Sequence, residues 1–176
     1  IGITSFDAGT GTITLLDGDY TLTGNEVINN VTDITLTSPA TLAMAGFTET
    51  FDVLSGNGGV SGAGALILGA NNGTGTHSGV ISGTLSFTKI GTGTQTLSGA
   101  NTYSGQTIVN GTGGTLILSG ANTGTGITNV LAGTLLVNGS TMSNTTASLA
   151  GILGGSGTIG GTVTLQAGST ATFAPG

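Results

Sequence analysis

Side chains able to do acid, base or nucleophilic chemistry are scarce in this chain. One histidine, one cationic side chain and seven acids are spread over 176 residues, and cysteine is absent. His77, in "GTHSG", is the residue around which any Ser-His-Asp triad would have to be built. Lys89, in "FTKIGTG", is a candidate base, since β-helical polysaccharide lyases use basic residues beside bound calcium; with no arginine to neutralise a uronate, the lysine reads as structural. Asp17-Gly18-Asp19 places two carboxylates at i and i+2, close enough to share a cation. Calcium needs about six to eight oxygens, and no EF-hand or complete GGxGxD repeat supplies the rest, so this stretch reads as an Asp-Gly turn. "GGSG", Gly154 to Gly157, starts like a calcium-binding nonapeptide but has Thr158 where an aspartate is required. "GSGTIG", Gly155 to Gly160, matches GxGxxG literally, yet a strand pattern follows it and only residues 161–176 remain for an acidic ribose ligand. The sequons at Asn30, Asn72, Asn110, Asn138 and Asn144 are what a chain this rich in Asn, Gly and Thr produces by composition. The expectation is no catalytic, cofactor-binding or metal-binding residue, and not an enzyme.

The elements that would have to position such residues are written in the rest of the sequence. Glycine accounts for 36 residues and charged residues for 5%, while 36% is hydrophobic, so apolar surface is available for burial in spite of the glycine. Asp7, Asp17, Asp19, Glu26, Asp33, Glu49 and Asp52 all precede residue 53, and beyond it Lys89 is the single charge. A surface of this kind cannot neutralise phosphates, so no nucleic-acid partner and no membrane insertion of this segment are expected, and anionic membranes are poor partner candidates. No apolar run approaches the ~18 residues of a membrane helix, and the first residues, "IGITSFDAGTG", carry neither a basic nor an apolar signal region. Lys89 is also the sole trypsin site, which suits a protein that persists outside a cell.

Short alternating runs recur: "TITL" (12–15), "DITL" (33–36), "ALIL" (65–68), "TLSF" (84–87), "TLIL" (115–118), "TLLV" (134–137), "TVTL" (162–165) and "TATF" (170–173). Each reads as a strand with one buried face, which puts Leu85 and Phe87 together, and likewise Val163 and Leu165. Gly- and Asn-rich segments between them read as sharp turns. The longest glycine-free window, Asn25 to Ala45, contains Pro39 and a β-branched run, leaving room for a turn or two of helix at most.

The choice among sandwich, barrel and solenoid rests on repetition. "LSGAN" occurs at 97–101 and again 21 residues on, at 118–122, and "GTL" occurs at 83–85, 114–116 and 133–135, at intervals of 31 and 19 residues. Periods of about 20 to 30 residues mark the turns of a solenoid. The predicted fold is all-β, a right-handed parallel β-helix of about seven to nine coils of about 20 to 25 residues each. Residues 1–60 form its more acidic N-terminal coils and residues 61–176 its repeat-bearing coils, in one continuous solenoid. In such a stack, aliphatic ladders fill the interior and Asn or Thr ladders run along the rod.

Residues 78–118, "SGVISGTLSFTKIGTGTQTLSGANTYSGQTIVNGTGGTLIL", resemble the autotransporter-associated β-strand repeat of bacterial autotransporter passenger domains. The match lies in Lys89, Gly91, Gly93, Leu97, Gly99, Asn101, Tyr103, Gly105 and Thr107; a degenerate second copy, 118–137, has Gly124 in place of the tyrosine. Residues 153–176 resemble the segment that follows such repeats. The resemblance implies a secreted, surface-exposed β-solenoid, puts a turn at His77, and makes Lys89 the repeat's own lysine.

The function expected is a non-enzymatic extracellular structural element on a bacterial cell surface: a stalk, an adhesive surface protein or a fibre subunit that stacks head to tail through its terminal coils. Two alternatives stand beside it. One is a glycan- or ice-binding surface of Thr-x-Thr units such as Thr94-Gln95-Thr96 and Thr162-Val163-Thr164, with cell-surface glycans as partners. The other is a polysaccharide-active β-helix enzyme.

Overall fold

The computed structural model describes residues 1–3, 9–167, 170 and 172–175. Asp7 and part of the "TATF" run lie outside the described residues. All regular structure in the described residues is β, and every pairing is parallel, so the stretch 25–45 carries strands and turns and no helix. The chain winds as a parallel β-solenoid of about 8 turns, each passing over three faces.

Face one stacks β2 (Thr12–Leu15), β4 (Asp33–Leu36), β7 (Leu54–Gly56), β10 (Gly75–His77) and β12 (Thr94–Leu97), then the second halves of β13 (Thr107–Leu118), β15 (Thr128–Val137) and β17 (Thr145–Gly155), and ends on β20 (Thr172–Pro175). Face two holds β1 (Gly2–Ile3), β3 (Asp19–Leu22), β5 (Thr41–Ala43) and β8 (Gly59–Ser61), and further up the separate ladder of β14 (Ala121–Asn122), β16 (Ser140–Thr141) and β18 (Thr158–Ile159). Face three holds β6 (Thr48–Phe51), β9 (Ala65–Leu68), β11 (Ser86–Lys89), the first halves of β13, β15 and β17, and β19 (Val163–Leu165).

Residues directly above one another are 17 to 22 positions apart, as in Thr48 with Ala65 and Asp19 with Thr41. The "LSGAN" offset is therefore one coil, and Leu97 pairs with Leu118. The 19-residue "GTL" interval is another, with Thr115 paired to Thr134, but the 31-residue interval from Gly83 is not a coil. Gly83 stands on Gly62 at one corner, whereas Gly114 crowds Gly91 at another, so the shared word arises from composition.

Glycines mark the corners because coils approach there at backbone distance. After face one, a Cβ on Gly79, Gly99, Gly120, Gly139 or Gly157 would lie 1.7–2.3 Å from the carbonyl oxygen of the glycine one coil below, beginning at Gly58. The second "SGAN" glycine thus sits on the carbonyl of the first. No other residue type fits such a file.

Alternation along each strand sends one set of side chains inward. On face one, Leu15, Leu36, Gly56, His77, Leu97, Leu118 and Val137 form one inward file. On face three the files are Glu49, Leu66, Phe87, Thr107, Thr128, Thr145, Val163 and Phe51, Leu68, Lys89, Val109, Val130, Ala147, Leu165. Leu85 and Phe87 are buried as the period of two predicts, although the strand there begins at Ser86. Val163 and Leu165 take the inward positions above Thr145 and Ala147 but are 42% and 46% exposed, because no described coil covers them. The expectation that they are buried is corrected by their place at the end of the stack.

Candidate functional site

Glu49, Asp52, His77, Lys89, Gln95, Asn101 and Asn122 are buried in the solenoid, and most of their polar atoms bond to backbone. His77 does not stand in an exposed turn: it ends strand β10, fully buried, between Gly56 below and Leu97 above. The missing side chain at Gly56 leaves the imidazole its room. Nδ1 lies 3.4 Å from the Ser55 carbonyl, and Nε2 is buried without a partner. Burial, opposed weakly by that carbonyl, pushes the imidazole below its usual range.

Lys89 is buried in β11 between Leu68 and Val109, with Nζ donating to the Ile90 carbonyl. Burial lowers its pKa, and the charge of Asp52 works the other way. Asp52 accepts from the amides of Asn71 and Gly73 at 2.8 and 2.9 Å through one oxygen. These groups close turns, and nothing places Lys89 and His77 around a common reacting atom. Asp17 and Asp19 flank a turn at Gly18, φ 92°, and Asp19 opens β3 with its carboxylate accepting from the Thr41 hydroxyl. Among the described residues no group of three or more His, Asp or Glu side chains is arranged to hold a metal ion.

Three further polar side chains, Glu49, Gln95 and Asn101, face inward, a placement not assigned to them from the sequence. Glu49 faces inward from β6 and is fully buried; its two oxygens accept from the amides of Val27 and Ile28 at 2.9 and 3.0 Å. Burial raises its pKa to about 7, against the pull of those two amides and with help from Glu26. Gln95 stacks over Gly75 and reaches past it to the coil beneath. Its Nε2 donates to the Leu54 carbonyl at 2.8 Å and its Oε1 accepts from the Leu54 amide at 3.4 Å, so the side-chain amide stands in for a missing rung. Asn101 likewise accepts from the Ile81 amide at 2.9 Å and donates to Asn122 at 2.8 Å, which donates in turn to the Ser140 carbonyl. The signal available in the sequence was phase: Glu49 alternates with Phe51, and Gln95 with Leu97, so both fall on the inward side.

The predicted polar ladders are therefore largely internal. Asn101 and Asn122 continue the face-two column begun by Leu42, Val60 and Ile81, and Thr107, Thr128 and Thr145 continue the file from Phe87. Where Gly124 replaces the tyrosine of the first copy, a cavity of about 10 Å³ opens among Tyr103, Thr107, Asn122, Thr128 and Ser143. That is room for about one water and too little for a sugar.

Outward, face one carries hydroxyls in register: Thr14, Thr35 and Ser55 stack in one run, and Thr76 and Thr96 in another. Coil length varies, yet the register holds, because the extra residues are taken up at corners. Thr94 and Thr96 belong to face one and Thr164 to face three, above Thr146, so the two Thr-x-Thr units singled out in the sequence do not share a ladder.

The family model described as the passenger-associated-transport-repeat matches residues 87–111 and 113–137, from Phe87 in β11 to the end of β15. Over 132 residues the chain is 38% identical to the adhesin BmaC autotransporter of Brucella suis biovar 1 (strain 1330), covering 73% of this chain and 4% of that protein. The chain thus spans a small fraction of the curated relative it matches. No solved structure matches it. The matched repeats are the coils whose glycine corners and polar columns are described above, and with the all-parallel solenoid they establish that the chain belongs to the repeat-bearing passenger domains of bacterial autotransporters.

Proposed function

We propose that this chain is a non-enzymatic, extracellular length of passenger that extends from a bacterial surface and takes part in adhesion. The observation that carries this reading is the commitment of the ionisable interior groups to backbone: Glu49 to Val27 and Ile28, Asp52 to Asn71 and Gly73, Lys89 to Ile90. Side chains occupied in this way leave a shape. The relative that is named an adhesin and the matched repeats support the same reading. The test is to display the chain on a bacterial surface and score attachment of those cells to mammalian cell layers and to immobilised glycans. Attachment no greater than that of cells displaying an unrelated solenoid of equal length would overturn the adhesive part.

Self-stacking is part of the proposal. Among the described residues the inward Val163 and Leu165 of β19 are half-exposed, whereas Ile13 and Leu15 of β2 are buried. A further coil laid on β19 would continue both the ladder and the files. Sedimentation of the purified chain tests self-stacking, and a stable monomer at high concentration would rule it out. A second reading, in which an uncharged glycan binds face one, draws on the Thr14, Thr35, Ser55 run, and replacing Thr14 and Thr35 by glutamate should then abolish attachment to neutral polysaccharide.

A further inference from the structure

We propose that acidification opens this solenoid at one seam, between β7 and β10 on face one, through protonation of His77. The ladder is thinnest there. β2 and β4 share four residue pairs, β4 and β7 three, β10 and β12 three and β12 and β13 four, but β7 and β10 share one, Gly56 with His77. Beside that pair, the Ser78 amide and hydroxyl meet the Gly56 carbonyl at 2.8 and 3.2 Å, His77 Nδ1 lies 3.4 Å from the Ser55 carbonyl, and the Gln95 side chain reaches across the seam to Leu54. Leu54 does not pair with Gly75; its amide and carbonyl are taken by the Gln95 side chain from two coils away. Face two at the same level is joined by a single isolated bridge, Val60 with Ile81, whereas face three keeps four pairs between β9 and β11, so the opening is confined to the face-one and face-two side and hinges on face three.

His77 occupies the one rung of this seam, in a file that elsewhere holds leucine, valine and glycine. Its Nε2 has no partner, so a proton added there would be a buried charge without an acceptor. The elements around it supply no counter-ion. β7, β8, β9 and β12 carry no titratable residue. β11 contributes Lys89, itself a cation, and Asp52, ahead of β7, is committed to the amides of Asn71 and Gly73.

The direction of the effect follows from linkage. The closed form disfavours the imidazolium, so the stability of the seam is present at neutral pH and is lost as pH falls through the ordinary histidine range. An open ring that titrates near 6.5 shifts opening by up to about 30-fold between pH 7.5 and pH 5, the full figure applying to a closed form that takes up no proton. The seam then divides the face-one sheet into a block ending at β7 and a block beginning at β10.

Hydrogen exchange read by mass spectrometry, corrected for the intrinsic pH dependence of amide exchange, tests this on the full chain and on His77→Leu. Leucine is the residue the same file uses at Leu36 and Leu97. The expected result is loss of protection at pH 5, up to about 30-fold, for peptides containing Ser78 and Gly56, with β12 to β15 unchanged and the response absent in the variant. An equal response in His77→Leu, a uniform loss across all coils, or no response would overturn the proposal. Should the variant fail to fold, the ¹⁵N titration of His77 in the native chain decides. Titration near 6.5 with the Ser78 amide still protected would refute the seam, and a depressed titration that coincides with loss of that protection would support it.

Discussion

Glu49 shows how a carboxylate can be placed in the interior of a narrow rod. It faces Leu66 above and bonds downward to the amides of Val27 and Ile28, in the coil whose face-three segment forms no strand. Because burial lifts its pKa to about 7 from 4.5, the folded chain holds this proton more tightly than the unfolded chain does. Its contribution is fully present below about pH 4.5 and is lost as pH rises to about 7. Urea unfolding of the native chain and Glu49→Gln between pH 4.5 and 8 should show a difference in stability that shrinks by about 1–3 kcal/mol across that range, and a flat difference would mean an ordinary carboxylate. Tyr103 is the second test at this scale. Its ring lies 6.3 Å from that of Phe87, its hydroxyl shares a hydrogen bond with Thr107 at 2.9 Å, and burial raises its pKa to about 12. Tyr103→Phe keeps the ring and should cost about 1 kcal/mol, whereas Tyr103→Ala should cost about 3–5 kcal/mol, both read from denaturant midpoints.

At the scale of elements, corners rather than strands carry the strictest demand on sequence. The file Gly79, Gly99, Gly120, Gly139, Gly157 lets each coil rest on the carbonyl beneath it, and an alanine Cβ at Gly99 would lie 2.0 Å from the Gly79 oxygen. Gly99→Ala should therefore cost about 2–4 kcal/mol, because backbone must move in two coils. Gly59, within β8, has its nearest would-be neighbour at 3.6 Å, so Gly59→Ala should lie within about 0.5 kcal/mol of the native chain. Equal costs at the two positions, measured by thermal unfolding, would show that the glycine file is not what fixes the spacing of the coils.

At the scale of the whole molecule, apart from the reach of Gln95 to Leu54 across one coil, each coil bonds to its neighbours, so stability is distributed along one axis. Lys89 makes this measurable. It is the single tryptic site and its side chain is 1% exposed, on a strand paired on both sides. The native chain should therefore resist trypsin for hours, with cleavage becoming rapid only in denaturant concentrations that open β11 from β9 and β13. Rapid native cleavage at Lys89 would contradict the burial and the pairing together.

Period two and the 21-residue "LSGAN" offset were enough by themselves to determine the all-β solenoid, because alternation and recurrence are local properties of a chain in which each coil repeats its neighbour's environment. The glycine corners were legible for the same reason. The repeat residues Lys89, Asn101 and Tyr103 could be recognised as belonging to a pattern, but their place inside the rod could not be read locally. Only the stacking decided that His77 lies above Gly56 and not in a turn, that Gln95 reaches Leu54 because Gly75 leaves the gap, and that Val163 and Leu165, inward in phase, remain half-exposed. Each of these depends on what lies one or two coils away, some 20 to 40 positions along the chain, as in the |i−j| of 41 between Gln95 and Leu54. Phase along a strand sets which way a side chain points; the coils above and below set what it meets.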